Sequence, residues 1–382
     1  MFRTFCLFVL FFALICSCMG KEYRIDTAYP GGNIIVDSVQ GHTVQIHQDM
    51  RDSSGKWFYW SFRVFGAEGE TLHFQFTKRP PLSTRGPAFS RDGGKSWKWL
   101  GPCGQKRDQF DFTFTKDDHE VRFSVGIPYT QFDLEEFLSR YKNSPFLKKE
   151  ILTRSKKDRA VEMVRISDFQ AGEKKIGIVL TGTHHACEQI ALYTAEGILE
   201  TALSDTETGK WFRKNTEIRF VPFIDKDGVE DGDQGKNRIP HDPNRDYIQE
   251  IYPSVKALKK MIKSWESVSA LICFDFHCPE LYDDPPSLHQ MLFFTPPFRK
   301  EMLDNLKKFS VILAKIQKGK EYNYEAVKGV DGKTYISDMK TQKTFATWAG
   351  EQKGALLGAT LEVPYANIEG KECSKESLRE FG

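Results

Sequence analysis

The chain has 382 residues, of which 40% are hydrophobic and 13% aromatic, so it can bury a large core and is expected to form two domains. The 54 basic and 52 acidic residues leave a net charge of +2, which is too small to predict binding to nucleic acid or to a membrane surface. Nothing in this composition points to disorder, so function must be inferred from individual residues.

Residues 1–20 have the pattern of an export signal. Arg3 precedes an apolar run from Phe5 to Ile15, and small residues follow before Lys21. The run is short for a bilayer span, and no later segment approaches the roughly 18 apolar residues of a transmembrane helix. The residues around Cys18 resemble the bacterial lipobox. We therefore expect a periplasmic or extracellular protein, and the sequence leaves open whether a lipid on Cys18 anchors it.

Residues 21–127 have the pattern of a small antiparallel β-sandwich. Short strands rich in aromatic and β-branched residues are separated by turns such as Asp92-Gly93-Gly94, as hairpins require. The aromatic residues between Trp57 and Phe62 could form a carbohydrate platform. Strand alternation buries every second side chain, however, which favours packing in the core.

Residues 128–382 show strands that alternate with longer amphipathic helices. This alternation predicts an α/β domain with a central, largely parallel sheet, in which ligands bind beyond the carboxyl ends of the strands. The predicted strands are 176–180, 218–223, 270–276, 291–294 and 359–363, and the predicted helices are 188–203, 252–265 and 298–317.

Three residues near predicted strand ends suit a zinc site: His185, Glu188 and His277. His185 and Glu188 stand three apart where a strand turns into a helix, so both side chains can face one point. Alone this spacing is a weak signal, because acidic residues favour the first turn of any helix. Two imidazoles and one carboxylate are nevertheless a ligand set of catalytic zinc, which keeps its fourth position open.

Two neighbours of these residues have open interpretations. Asp275 lies on the same strand face as His277, where it could fix the tautomer of a metal-bound imidazole or simply be a buried, hydrogen-bonded carboxylate. His184 is expected behind the ligands, although its spacing to Glu188 also allows it to replace His185.

Polar residues in a Gly- and Asp-rich loop, 226–246, are candidates for substrate binding. A solvated loop is one explanation, but Arg245 beside Asn244 would make a good receptor for a carboxylate. Arg238 could stabilise the oxyanion that forms when water adds to a carbonyl. Glu362 ends a β-branched and apolar run, where a base acting on zinc-bound water would explain a charged residue.

The order of these motifs resembles a known family. His-x-x-Glu, Asp-Gly with a following Arg, Asn-Arg, His and Glu occur in this order in zinc metallocarboxypeptidases of the carboxypeptidase A type. The resemblance is greater to their cytosolic-carboxypeptidase-like branch and covers roughly residues 128–382. The β-rich module before residue 128 is similar to the sandwich that precedes the peptidase domain in that branch. It implies a mixed sheet of about eight strands flanked by helices.

The resemblance also implies a function: a carboxypeptidase with one zinc per chain, acting on the C-termini of peptides or proteins. Its implied residue roles are zinc binding by His185, Glu188 and His277, polarisation of the scissile carbonyl by Arg238, capture of the substrate carboxylate by Asn244 and Arg245, and general-base catalysis on zinc-bound water by Glu362.

Three departures from the family pattern are visible. Ala186-Cys187 replaces an Arg within His-x-x-Glu, so one substrate contact is expected to be missing. Tyr335 is the candidate for the substrate-capping Tyr, although its position matches poorly. The helix expected after Glu362 is predicted to be short or absent.

Two other functions remain open from the sequence: a zinc deacylase or amidase of the aspartoacylase type, and a catalytically silent protein that binds peptide or glycan. Five cysteines follow residue 20, an odd number that allows at most two disulfides. One of them, Cys187, lies inside the zinc motif and is expected to pack rather than to bind metal.

Overall fold

A computed structural model of the protein describes residues 14–18, 21–78, 81–102, 107–170, 172, 174–281, 291–294, 300–318, 322 and 342–382, with the backbone alone at 14–18, 21, 22, 292 and 294. Tyr335, the candidate for the substrate-capping Tyr, lies outside these residues, as does Cys103, one of the five cysteines after residue 20. Among the described residues, no helix is both long and apolar enough to cross a membrane.

The N-terminal module consists of two β-sheets. The strand orders are β1-β2-β5-β10-β7-β8 and β3-β4-β6-β9. All pairs are antiparallel except β4 with β6, so the predicted antiparallel module is confirmed with one parallel pair. The strands are β1 (Leu14–Cys18), β2 (Lys21–Asp26), β3 (Ile35–Gln40), β4 (Thr43–His47), β5 (Ser61–Phe65), β6 (Thr71–Phe76), β7 (Ala88–Ser90), β8 (Lys98–Trp99), β9 (Gln109–Thr113) and β10 (Glu120–Ser124).

Aromatic side chains fill the space between these two sheets. The ring of Phe62 on β5 lies 5.4 Å from that of Phe74 on β6, and Phe110 on β9 lies 5.5 Å from Phe123 on β10. Residues 57–60 are also buried, although they precede β5. Core packing of these aromatic residues is confirmed, but strand alternation explains it only from β5 onward.

The second domain is built on a mixed seven-stranded sheet in the described part of the chain, in the order β11-β12-β14-β13-β15-β17-β16. Its elements are α1 (Gln131–Arg140), β11 (Leu147–Arg154), β12 (Ala160–Ile166), β13 (Lys175–Gly182), α2 (Leu192–Leu203), α3 (Glu207–Asn215), β14 (Thr216–Val221), α4 (Lys226–Asp231), a 3-10 helix (Pro243–Arg245), α5 (Pro253–Lys263), β15 (Val268–His277), β16 (Leu292–Phe294), α6 (Lys300–Gln317), α7 (Phe345–Gly350), β17 (Ala355–Glu362), β18 (Asn367–Ile368), β19 (Lys371–Glu372) and α8 (Lys375–Phe381).

The four central strands of this sheet run parallel, and the outer strands are antiparallel additions. β14, β13, β15 and β17 are parallel neighbours. β12 and β11 extend one side, and β16 pairs with β17 on the other. The predicted mixed α/β fold is therefore confirmed.

Hydrophobic cores cover both faces of this sheet. Successive residues of β13 alternate between them: Ile178 and Leu180 belong to the core that continues into the N-terminal module, whereas Val179 packs with α5 and α7 on the other face. A strand that is buried on both faces has a nearly continuous run of apolar residues, and this run allowed β13 to be located from the sequence.

The chain after β17 ends in the short helix α8. Lys375 forms an ion pair with Asp133 on α1 at 2.7 Å, and Arg379 forms one with Glu196 on α2 at 2.7 Å. These contacts attach the seven-residue helix to the domain.

Candidate active site

His185, Glu188 and His277 come together at the carboxyl ends of two adjacent parallel strands. β13 ends at Gly182, and Gly182 pairs with Phe276, the residue before His277 at the end of β15. Glu188 Oε1 lies 3.0 Å from His185 Nδ1, and its Oε2 lies 2.6 Å from His277 Nδ1. One possible ligand atom from each residue lies within 4.8 Å of the others, so all three could bind one ion.

The turn after β13 directs His185 into this cluster. Thr183 adopts a φ of +47°, which is unfavourable for a β-branched residue. Its hydroxyl donates a hydrogen bond to the carbonyl of Pro222 at 2.8 Å and so holds the turn against the end of β14. Backbone strain at this position is consistent with a functional site.

The donor set of this cluster fits zinc. Both ring nitrogens of His185 are buried without a well-directed hydrogen bond within the described structure, although Nδ1 is close to Glu188. The other nitrogen of each imidazole faces a second carboxylate: His185 Nε2 lies 3.3 Å from Asp242, and His277 Nε2 lies 2.7 Å from Asp275. A carboxylate at Nε2 keeps the proton there and leaves Nδ1 available for a metal.

Glu188 is held in the charged form that a metal ligand requires. Burial by itself would raise the pKa of this carboxyl, but interactions with His185, Lys236 and His277 outweigh burial and lower its pKa well below the usual range. The carboxylate is therefore available as a ligand at neutral pH.

His184 lies behind the ligands. Its Nδ1 is 2.8 Å from Asp275, and its Nε2 is 2.7 Å from the hydroxyl of Tyr247. Thr181 donates a hydrogen bond to the same Asp275 carboxylate at 2.8 Å. His184 and Thr181 thus orient the carboxylate that orients His277.

Glu362 stands beside His277 because of strand register. It is the last residue of β17 and pairs with His277 at the end of β15, where the Val363 amide donates to the His277 carbonyl at 2.8 Å. Its Oε2 is buried and has no hydrogen-bond partner among the described residues. Burial and the neighbouring Glu188 raise the pKa of Glu362. A raised pKa suits a carboxylate that must take up a proton during a reaction.

Asn244 and Arg245 lie on the 3-10 helix next to the ligands. Asp242 caps this helix by accepting a hydrogen bond from the Asn244 amide at 2.7 Å. The Asn244 side chain lies 3.0 Å from His277 Nε2 and accepts from the Phe345 amide at 3.0 Å. Arg245 is half-buried and donates to the Asn244 carbonyl at 2.9 Å. The structure therefore brings the predicted carboxylate-binding pair to the zinc-ligand cluster.

Arg238 is bound by three carboxylates. Its guanidinium donates to Asp225 at 2.7 Å, to Asp233 at 2.9 Å and to Asp52 at 3.2 Å. Asp52 belongs to the N-terminal module, so this cluster joins the two domains. None of the contacts described for Arg238 involves a zinc-ligand residue, and its role at the oxyanion stays a prediction.

The site contains a cation that the sequence analysis missed. Lys236 Nζ lies 2.9 Å from Glu188 Oε1 and 4.8 Å from the centre of the Trp57 ring. Burial opposes the charge on this lysine, but Glu188 and Glu362 outweigh burial and raise its pKa. Lysines are usually exposed, so nothing in the residue type marks Lys236.

The sequence does contain one indication of where Lys236 lies, which is the glycine before it. Gly235 has a φ of +76°, and a Cβ at this position would lie 2.3 Å from the backbone nitrogen of Ala186. The amide of Cys187 also donates to the Gln234 carbonyl at 3.1 Å. Only glycine allows the loop to approach the His185–Glu188 turn this closely, and this approach places Lys236 beside Glu188.

The N-terminal module fixes this loop, residues 232–242, which we call the site loop. Asp52 accepts hydrogen bonds from the amides of Gln234 at 3.0 Å and Gly235 at 2.9 Å. The Gln234 side chain exchanges two hydrogen bonds with the backbone of Tyr59, both at 2.8 Å. We call residues 49–59, which provide these contacts, the bridging segment.

The cysteines near the site are not bridged. Cys187, Cys273 and Cys278 are buried thiols that form no disulfide. Burial raises the pKa of the Cys187 thiol well above its usual range, and the Cys187 carbonyl accepts from Tyr365 at 3.2 Å. Cys187 therefore packs behind the turn as a neutral thiol.

Comparison with known proteins agrees with this geometry. The zinc carboxypeptidase family matches residues 134–261, which include His185, Glu188 and the site loop. Residues 134–261 are therefore similar to a zinc carboxypeptidase domain. Cytosolic carboxypeptidase 6 of Caenorhabditis elegans is 27% identical over 249 residues, which cover 58% of this chain and 54% of the relative. The resemblance to the cytosolic-carboxypeptidase-like branch is thereby confirmed, although the match spans only about half the length of that relative.

Solved structures show that the fold extends over both domains. A metallo-carboxypeptidase from Pseudomonas aeruginosa, solved in complex with (2-guanidinoethylmercapto)succinic acid, has a TM-score of 0.75 at 18% identity and covers 94% of this chain and 95% of its own. A metallo-carboxypeptidase from Burkholderia cenocepacia has a TM-score of 0.74 at 18% identity, with coverages of 94% and 95%. The N-terminal sheets are therefore part of the shared fold.

Proposed function

We propose that the protein is a zinc-dependent carboxypeptidase that hydrolyses the C-terminal peptide bond of peptides or proteins, with Glu362 as general base. The observation that carries this proposal is the placement of Glu362 beside His277, in a cluster where His185, Glu188 and His277 present three ligand atoms within 4.8 Å. A silent binding protein would have no need to keep the ligands and the base together.

His185, Glu188 and His277 would hold the metal through Nδ1 of each imidazole and the Glu188 carboxylate. Zinc bound there supplies Lewis acidity, which lowers the pKa of water and polarises a carbonyl. Asp242 and Asp275 face Nε2 of His185 and His277 at 3.3 Å and 2.7 Å, and a proton held there would leave each Nδ1 for the metal.

Glu362 would accept the proton of the attacking water and pass it to the amine that leaves. Its raised pKa supports this role, because proton transfer by a side chain is most efficient when the pKa of the side chain lies near the working pH. The buried Oε2 has no hydrogen-bond partner among the described residues, so one acceptor of the carboxylate is left unpaired there.

Asn244 and Arg245 would bind the free C-terminal carboxylate of the substrate. An arginine and an amide side by side can donate charge-assisted hydrogen bonds to both carboxylate oxygens. Their place next to His277 supports a scissile bond within reach of the zinc-ligand cluster.

Metal analysis and a peptide assay test the proposal together. The purified protein is expected to contain about one zinc per chain and to release C-terminal amino acids from a mixed peptide library with free, but not amidated, C-termini. Glu362→Gln should keep the zinc and lose about 10² to 10⁴-fold in turnover. Glu207→Gln, at an exposed residue of α3, is the matched control and should behave as wild type.

Two results would reject the proposal. Absence of zinc would contradict the metal site. Zinc binding with cleavage of N-acyl amino acids instead of peptides would favour a deacylase of the aspartoacylase type.

Export remains part of the proposal and is supported by the sequence of residues 1–20. Mass spectrometry of the mature N-terminus should find cleavage after Gly20 or an acylated Cys18. An uncleaved N-terminus in the native host would contradict export.

A further inference from the structure

Arg238 makes structural contacts that it would have to give up in order to bind the scissile carbonyl. Its three carboxylate partners, Asp52, Asp225 and Asp233, are each at most 15% exposed, and they join the site loop to α4 and to the bridging segment. Moving the guanidinium to a substrate would leave three poorly solvated carboxylates without their common cation, which is costly. A second cation of the loop, Lys236, has no such set of partners among the described contacts.

We propose that Lys236 is the catalytic residue that stabilises the oxyanion formed from the scissile carbonyl, the role that the sequence predicts for Arg238. This inference rests on the proposed carboxypeptidase function. Its geometric basis is the contact of Lys236 Nζ with Glu188, which brings the ammonium to the zinc-ligand cluster.

The surroundings of Lys236 hold its charge in place before substrate arrives. Its ammonium lies over the Trp57 ring, and its backbone carbonyl accepts a hydrogen bond from the Ser53 hydroxyl. The amide of Ser54 donates to the carbonyl of the next residue, Asn237, at 3.4 Å. A cation fixed in this way needs little reorganisation when charge develops nearby, which is the main requirement of oxyanion stabilisation.

The reaction step places negative charge where this ammonium can reach it. Water oxygen bonds to the carbonyl carbon, Glu362 takes the proton, and the C=O π electron pair moves onto the carbonyl oxygen. Lys236 donates a hydrogen bond to that oxygen; an ammonium has three hydrogens, and Glu188 accepts one. When the electron pair returns and the C–N bond breaks, the proton on Glu362 passes to the amine.

A simpler role would be to compensate the charge of Glu188 and so support zinc binding. The two roles predict different losses. A cation that supports Glu188 affects metal content and the binding of every ligand. A cation at the oxyanion affects turnover and the binding of tetrahedral anions, but not the binding of a product amino acid.

The test compares Lys236→Met, Lys236→Arg and wild type. Zinc content is measured by metal analysis, turnover on a library peptide, and binding of a phosphinic peptide and of the product amino acid by calorimetry. Lys226→Met is the matched control, because Lys226 likewise pairs with a glutamate and lies over an aromatic ring.

We expect Lys236→Met to keep about one zinc per chain and to bind the product amino acid as wild type does. Its kcat should fall by about 10² to 10³-fold with little change in KM, and its affinity for the phosphinic peptide should fall by a similar factor. Lys236→Arg should recover a large part of both losses. Lys226→Met should lower the melting temperature and leave kcat unchanged.

Three results would overturn the assignment. Loss of zinc in Lys236→Met would show that the lysine only supports Glu188. Unchanged kcat and unchanged phosphinic-peptide affinity in this variant would remove Lys236 from catalysis while the carboxypeptidase function stands. No turnover by the wild type would remove the proposed function and, with it, the role of Lys236.

Discussion

The two halves of the candidate site are built in different ways. His277 and Glu362 end neighbouring parallel strands, and strand register alone places them side by side. Lys236 and Arg238 lie on the site loop, which is fixed by residues 182 positions earlier in the chain, such as Asp52 with Gln234. The sheet edge is thus a product of the domain's own fold, whereas the site loop depends on the N-terminal module. We therefore expect mutations at the sheet edge to remove zinc, and mutations that displace the site loop to lower turnover while zinc is retained.

Removing a side chain at the sheet edge should have the largest effect on turnover. In His277→Ala one of the three proposed zinc ligands is removed, while Asp275 keeps its contact with His184. We expect loss of zinc and a fall in turnover of about 10⁴-fold or more, because the Lewis acid is lost. The melting temperature should also fall, because the variant loses the stabilisation that bound zinc provides and leaves Glu188 and Asp275 without their buried partner His277. Zinc analysis and calorimetric melting check this, and stoichiometric zinc in the variant would contradict the assigned ligands.

Removing a contact that fixes the site loop should leave the zinc content unchanged. In Asp52→Asn an amide replaces the carboxylate that accepts from Gln234 and Gly235. We expect a loss of about 2 kcal/mol in unfolding free energy and, through displacement of the loop, about 10²-fold in kcat/KM, with zinc retained.

Asp118→Asn is the control for this loop variant. Asp118 is a buried carboxylate of the same module that pairs with Arg91, so its loss should lower stability without lowering kcat/KM. An equal loss of kcat/KM in both variants would mean that the N-terminal module acts through general stability alone.

A milder change at the sheet edge sharpens the comparison. Asp275→Asn removes the carboxylate that fixes His277, so zinc affinity should fall by about 10 to 100-fold, as measured by competition with a chelator. The loss of activity should be restored by excess zinc. Activity that stays low at saturating zinc would indicate that Asp275 has a further role in the reaction.

The smallest effect expected is a pH dependence of the loop's contribution to stability. Burial and the nearby Asp52 raise the pKa of Asp233 to about 6, although Arg238 opposes this shift. Between the ordinary aspartate pKa of 3.8 and about 6 the folded protein therefore keeps a proton that the unfolded chain has lost, so stability falls as pH rises through this window.

Asp233→Asn lacks this titration. The free energy of unfolding of wild type minus that of the variant should fall by about 1 kcal/mol from about pH 5 to about pH 6, as measured by urea denaturation. A difference that grows with pH would contradict the raised pKa.

The same comparison explains what could be predicted from the sequence. His185, Glu188, His277 and Glu362 follow apolar runs that are recognisable as buried strands, and parallel strands bring their carboxyl ends to one edge. The position of Lys236 could not be predicted, because it depends on Gly235 approaching Ala186 and on hydrogen bonds from another domain. The motif order did include Arg238, but its spacing could not show that three aspartates bind its guanidinium.

The burial of residues 57–60 illustrates the same limit. Their aromatic character predicted core packing correctly, but the reason assigned was strand alternation. Residues 57–60 precede β5, the first three of them belong to the bridging segment, and Trp57 lies against the Lys236 ammonium. A local pattern gave the right burial here without revealing the contact that matters for the site.

The most direct test is a crystal structure of Glu362→Gln with zinc and a peptide that has a free C-terminus. We predict zinc on His185, Glu188 and His277, the peptide carboxylate on Asn244 and Arg245, and Lys236 on the scissile carbonyl oxygen. Zinc on other residues, or a peptide carboxylate away from Asn244 and Arg245, would contradict the carboxypeptidase site. Arg238 on the carbonyl, released from its aspartates, would contradict the assignment of Lys236.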